Sequence, residues 1–215
     1  MYRGNKDFIM KKSFRILSNE SVLKNKKLNH PEIVEILKQG GIGILATDTL
    51  YGLVGQALNK KTVRRIYQIK GRQPRKPLII LIYSLKDLDL FKIKIKPALR
   101  RILNKLWPGR VSIILGCPHK QFFYLHRGTN TLAFRLPKKA SLINILKQVG
   151  PLTAPSANPE GLKPAKTIKE AKKYFGYRAE FYLDEGKLDS LPSTLLEIKN
   201  RKIKILRQGA IKIKI

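Results

Sequence analysis

Residues 42–82 read IGILATDTLYGLVGQALNKKTVRRIYQIKGRQPRKPLIILI, and this stretch decides the fold. It begins as a buried strand (Ile42, Ile44, Leu45, Ala46) and breaks into Thr47-Asp48-Thr49, where a strand is expected to stay apolar. Such a break marks a strand's carboxyl end, the usual place for a ligand in an α/β sheet. A turn at Gly52 and Gly55 is expected next, then a helix from about Lys60 to Ile69 with Val63, Ile66 and Tyr67 facing inward. Lys70-Gly71-Arg72 follows, and then a second strand from Leu78 to Tyr83. A helix that hands two cations to a glycine hinge beside a buried strand offers an anion site between strand ends.

Outward from this stretch, helices and strands alternate. A helix is expected from Pro31 to Lys38, with Ile33, Ile36 and Leu37 as its apolar stripe and Gly40-Gly41 as its stop. Ser84 caps a short helix through Phe91, and Pro97 opens another that Trp107-Pro108-Gly109 ends. Strands are expected at Val111 to Leu115 and Thr131 to Leu136, with a loop or distorted hairpin from Pro118 to Asn130 between them. A helix at Ser141 to Val149 precedes Leu152-Thr153-Ala154-Pro155-Ser156-Ala157-Asn158, a second strand end dissolving into small polar residues. Thr167 caps a helix to Phe175, closed by Gly176. Strands at Glu180 to Leu183, Thr194 to Ile198 and Ile203 to Arg207 complete the chain, the last two as a hairpin at Asn200. Residues 1–27 read as a basic amino-terminal arm with a short strand at Phe14 and Ile16, and residues 28–215 as one domain. The alternation indicates an α/β fold of mixed α+β character, a twisted, largely mixed sheet with flanking helices.

Composition narrows the class. A chain of 215 residues, 43% hydrophobic, is long enough for one substantial core and is not compositionally disordered. No apolar run approaches the roughly 20 residues that span a bilayer, and the amino terminus lacks a signal-peptide pattern. The single cysteine, Cys117, excludes an internal disulfide, so a cytoplasmic location is the simplest reading. The net charge of +31 points to anionic partners, nucleic acid among them. Lys and Ile recur together in KIKIK (92–96) and IKIKI (211–215), as drift toward A and T in a genome would also produce.

Individual residues carry less than their conjunction. Lys70 and Arg72 suit phosphate or carboxylate, and equally a solvated helix end; Pro74, Pro77 and the buried strand behind them favour a built site. Arg135 stands inside the apolar strand FRLP, where an unpaired charge is costly and a partner or ligand is required. Ser156 and Asn158 fit either a phosphate contact or a plain turn. Cys117, His119 and His126 invite a zinc site but lack a fourth ligand at suitable spacing, and a surface loop fits them better. No P-loop, Rossmann or Ser-His-Asp signature is present, so catalysis rests on positioning and cationic stabilisation.

In order, ATDTLYGL, KGRQPRKPLIILI, LWPGRVSIIL, LAFRLP, LTAPSAN, PSTLLE and ILRQGAI resemble the motifs of the YrdC/TsaC-like threonylcarbamoyl-AMP synthase family, over about residues 28–210. The family's KxR and SxN signatures stand here as Lys70/Arg72 and Ser156/Asn158. The resemblance implies a YrdC-like fold with a basic concave cavity. It also implies a nucleotidyltransferase that joins L-threonine, bicarbonate and ATP into threonylcarbamoyl-adenylate with release of pyrophosphate. Other enzymes of the pathway would then modify adenosine 37 of tRNAs that read codons starting with A. Carried over by motif, Thr47, Arg135 and Ser193 would hold threonine; Lys70, Thr131, Ser156, Asn158 and Arg207 would contact ATP; Arg72 would support the phosphates or the carbonate. Lys70, Arg72, Ser156 and Asn158 are the expected catalytic group, with Mg2+ arriving on ATP and no protein metal site. Ala46 replaces the family's usual Pro, KGRP becomes KGRQP, WPGP becomes WPGR, and the second domain of longer relatives is not expected here. The competing reading is an RNA-binding module of the same fold without the chemistry, with tRNA as its partner.

Overall fold

The computed structural model describes residues 22–23, 31–199 and 202–213. The expected strand at Phe14 and Ile16 and the hairpin tip at Asn200 lie outside them. Strands β1 (Val22–Leu23), β2 (Gly43–Ala46), β3 (Tyr51–Gln56), β4 (Ile79–Leu81), β5 (Val111–Gly116), β6 (Thr131–Arg135), β7 (Leu152–Thr153), β8 (Phe181–Leu183), β9 (Thr194–Lys199) and β10 (Lys202–Arg207) form one sheet. Their order is β1-β8-β2-β3-β7-β4-β6-β5-β9-β10. Pairing is mixed: β4 runs parallel to β6 and β5 to β9, while β2 with β3, β3 with β7, and β9 with β10 are antiparallel.

Successive side chains of a strand point to opposite faces, and here both faces are covered. Ile44, Leu53, Ile80 and Phe134 pack on one side with Val63 and Ile66 of α2 (Lys60–Lys70). Their neighbours Leu45, Val54 and Leu81 pack on the other, against Ile33 and Leu37 of α1 (Pro31–Lys38). Leu142, Ile145 and Leu146 of α5 (Ala140–Val149) join them there. Double burial explains why these strands read as continuous apolar runs. At the edge, Lys202 and Lys204 of β10 face solvent while Ile203 and Ile205 pack on the core. Cations on an exposed edge oppose pairing with another chain. Helix α3 (Pro97–Leu106) takes Pro at its first turn, and α6 (Ile168–Phe175) is capped by Thr167, whose Oγ1 accepts from the Glu170 amide.

Two expectations are overturned. Gly52 and Gly55 do not form a turn; they lie inside β3, which pairs antiparallel with β2 through Leu45↔Gly52. The turn is Asp48 to Leu50, and glycine serves close approach instead. A Cβ on Gly55 would lie 2.4 Å from Thr62 Cγ2 of the helix packed above it. Residues 118–130 are not a loop or hairpin throughout: Lys120–Phe122 and α4 (Phe123–His126) are helical. Burial of Phe122, 5.6 Å from the Phe91 ring, pins them to the core. The Cys117, His119 and His126 side chains do not converge. Cys117 Sγ donates to Phe91 O (3.5 Å) and His126 Nδ1 accepts from the Gly128 amide (3.1 Å). No helix among the described residues is long and apolar enough to cross a membrane.

Candidate active site

The break after β2 is a hydroxyl-held turn. Thr47 Oγ1 donates to Leu50 O (2.7 Å) and accepts from the Thr49 and Leu50 amides (3.2 and 3.3 Å). A threonine side chain that replaces backbone partners in this way ends a strand without leaving polar groups unpaired. The turn carries Asp48 and Thr49 to Arg135 at the end of β6. Arg135 Nη1 donates to Thr49 Oγ1 at 3.1 Å, and Nη2 lies 3.1 Å from Asp48 Oδ1. Burial pulls the Arg135 guanidinium below its ordinary pKa, Asp48 pushes it back up, and Arg207 and Arg110 press it down again.

At the far end of the sheet, Ser193 precedes β9. Its Oγ lies 2.8 Å from Ser112 Oγ, and its carbonyl accepts from Arg207 Nη2 (2.8 Å) and Nε (3.2 Å). Arg72 follows the left-handed Gly71 (φ +60°) that closes α2. Its Nε and Nη2 donate to the carbonyls of Lys76 (2.8 Å) and Pro77 (2.9 Å). Thr47, Thr49, Arg72, Arg135, Ser156, Ser193 and Arg207 line one hollow of about 190 Å3. A larger depression of about 700 Å3 opens by the amino end of α2, beside Lys60 and Leu90, and includes none of the residues singled out from the sequence.

Three of those residues stand apart from the lining. Lys70 does not share a target with Arg72; it is 2% exposed. Its Nζ donates to Ser156 O (2.7 Å), Asn158 O (2.6 Å) and Asn158 Oδ1 (3.2 Å), which uses all three ammonium protons. Burial, with Arg72 nearby, pulls its pKa down to about 8. Asn158 is buried too, accepting from Ser156 Oγ (2.6 Å) and donating to Pro159 O and Leu162 O (2.8 and 2.7 Å). Lys70 therefore fixes the Ser156 loop from behind. Thr131 lies at the opposite end of β6 from Arg135, with its hydroxyl 3.3 Å from Thr129 Oγ1. The β4–β6 register, Ile79↔Ala133, continued by two residues sets Thr131 level with Pro77, which Arg72 holds.

Asp48 and Ser112 are given no role by the sequence, and Thr49 stands there only as part of the polar break with Thr47. The available signal was Arg135 itself: a cation inside a buried strand requires a carboxylate, and Asp48 is the acidic residue in the polar run after β2.

The Sua5/YciO/YrdC family model, described as "Telomere recombination", matches residues 35–209. A relative in Methanocaldococcus jannaschii is 32% identical over 204 residues, covering 89% of this chain and 94% of its own. The threonylcarbamoyl-AMP synthase of Thiobacillus denitrificans is 26% identical over 186 residues, 85% of this chain and 98% of that one. Among solved structures, Pyrococcus abyssi Sua5 complexed with L-threonine superposes with a TM-score of 0.75 at 26% identity over 82% of this chain, which spans 52% of that longer protein. Escherichia coli YciO superposes with a TM-score of 0.76 at 21% identity, over 85% of this chain and 90% of that one.

Proposed function

We propose, from the premise that this chain belongs to the Sua5/YciO/YrdC family, that it is a threonylcarbamoyl-AMP synthase. The observation that carries the reading is the single hollow into which six separate segments bring hydroxyls and guanidinium groups. The reaction joins L-threonine, bicarbonate and ATP. Threonine's amine and bicarbonate form an N-carboxylate with loss of water. One of its oxygens then bonds to the α-phosphorus as the bond to pyrophosphate breaks.

Electrostatics sets the requirement. Two like unit charges 4 Å apart repel by about 4 kcal/mol at an effective dielectric of 20. Three anions in one hollow therefore need several fixed cations. Arg72, Arg135 and Arg207 meet that need, and no carboxylate among the described residues pairs with Arg72 or Arg207. Arg135, Thr47 and Ser193 take threonine in this reading. Ser156, Arg207 and Thr131 take ATP, with Lys70 and Asn158 shaping the loop that presents Ser156. Arg72 faces charge developing on the phosphates as the leaving group departs. The hollow is smaller than the about 300 to 1,000 Å3 of drug-sized pockets, so the amino acid and the reacting phosphate occupy it and the nucleoside extends past its rim. Mg2+ enters, in this reading, as part of the nucleotide substrate, held chiefly by substrate oxygens.

The product is passed, in this account, to other enzymes that modify tRNA, in the cytoplasm, where a lone buried Cys117 stays reduced. An RNA-binding module without the chemistry has no need of a buried Arg135 at the end of β6. A coupled assay for pyrophosphate tests the function. Release should require ATP, threonine and bicarbonate together, and release indifferent to threonine would refute it.

A further inference from the structure

The wall of the hollow contains a buried charge pair with an unusual geometry. The Arg135 and Asp48 side chains are 3% and 5% exposed, and Nη2 stands 3.1 Å from Oδ1. The approach is out of line: neither Asp48 oxygen accepts a hydrogen bond and Arg135 Nε donates none among the described residues. Among the described residues, three of the five buried side-chain polar atoms without a partner belong to this one pair. A structural ion pair at such depth ordinarily satisfies its donors and lone pairs fork to fork, because unpaired buried groups are costly. Charge alone holds this one, which leaves the guanidinium, itself part of the lining of the hollow, with a buried donor unspent at Nε.

The surroundings explain why a counter-charge is needed. Arg110 and Arg207 both press on Arg135 with like charge, and Asp48 alone opposes them. Asp48 rides on the turn that Thr47 Oγ1 ties to the Leu50 carbonyl and to two amides. Thr49 of the same turn accepts from Arg135 Nη1. One three-residue turn thus contributes both the counter-ion and the hydroxyl that aim the guanidinium.

We propose that Asp48 is a positioning residue for amino-acid recognition: its carboxylate neutralises and aims Arg135 without saturating it, so that the guanidinium meets the substrate's α-carboxylate from the wall of the hollow. The inference rests on the synthase reading given above. It acts through Arg135, so it reaches the affinity for threonine and not that for ATP.

The test is steady-state pyrophosphate release by the full chain, varying threonine and ATP separately, for wild type and Asp48→Asn, with melting temperatures alongside. The KM for threonine should rise at least tenfold in Asp48→Asn while the KM for ATP stays within twofold. A purely structural carboxylate would lower the melting temperature and leave the threonine KM unmoved, and that result overturns the inference. Should Asp48→Asn fail to fold because it strands a buried cation, the Arg135→Met/Asp48→Asn double variant removes both charges. Its threonine KM should equal that of Arg135→Met alone, since Asp48 has nothing left to aim; a further rise would overturn the proposal. Absence of threonine-dependent release by the wild type, joined to absence of threonine heat in calorimetry, would overturn the synthase reading itself. Wild-type activity with an unmoved Asp48→Asn KM would overturn only this inference.

Discussion

Replacing Lys70 by methionine keeps a buried apolar stem and removes the ammonium that ties down the Ser156 loop. Two of its bonds are short, 2.7 Å to Ser156 O and 2.6 Å to Asn158 O. A bond from a charged donor contributes about 1.5 to 3 kcal/mol net. Burial, which pulls the pKa from 10.5 to about 8, sets the contribution of this ammonium at the low end of that range. A hold on the loop of roughly 1.5 kcal/mol is about tenfold in the equilibrium between closed and open loop. Amide hydrogen exchange of the ligand-free protein measures that equilibrium directly. In Lys70→Met, amides of residues 157–162 should exchange about tenfold faster with the sheet core unchanged, and the KM for ATP should rise. If exchange without ligand is the same in variant and wild type while activity collapses, Lys70 touches the substrate itself and the reasoning is wrong.

Lys70 also gives a signed pH dependence. Its folded pKa of about 8 lies below the ordinary 10.5, so between those values the unfolded chain holds the proton that the folded chain has lost. Stability contributed by this group therefore rises with pH across that window, its burial cost being fully present below about 8; urea melts should show Lys70→Met lacking about 3 kcal/mol of that rise. Gly55→Ala places a Cβ 2.4 Å from Thr62 Cγ2. The clash should cost about 1 to 3 kcal/mol in the same melts, and a neutral result would show that α2 shifts freely away from β3. Arg207→Ala removes both donors to the Ser193 carbonyl. It should raise the KM for ATP at least tenfold with the melting temperature nearly unchanged, as steady-state kinetics and a thermal melt would show.

How far the sequence reveals this molecule depends on how local each cause is. Helices Pro31–Lys38 and Ile168–Phe175 are legible to the residue because Pro31, Thr167 and the following glycines act on their own turns. Strand β3 is hidden because Gly52 and Gly55 look like turn residues until Thr47 and Thr62 are seen packed against them. The same holds for the site. Arg135 announces itself, since a charge in a buried strand has few explanations, and the polar breaks after β2 and β7 mark real strand ends beside the hollow. Lys70 and Arg72 look equivalent because they flank one glycine. What separates them, the Ser156 and Asn158 carbonyls under the Lys70 ammonium, lies more than eighty residues away in the chain. Asp48 escapes notice for the same reason, its partner Arg135 being on another strand.

The central claim is that the residues lining one hollow gather three mutually repelling anions and join them. Mass spectrometry of the reaction with carbon-13 bicarbonate tests it most directly. The account requires threonylcarbamoyl-adenylate carrying one labelled carbon, formed only with threonine and ATP present and, at low threonine, strongly diminished in Arg135→Met. An adenylate without the label, or labelled product undiminished in Arg135→Met, would contradict it.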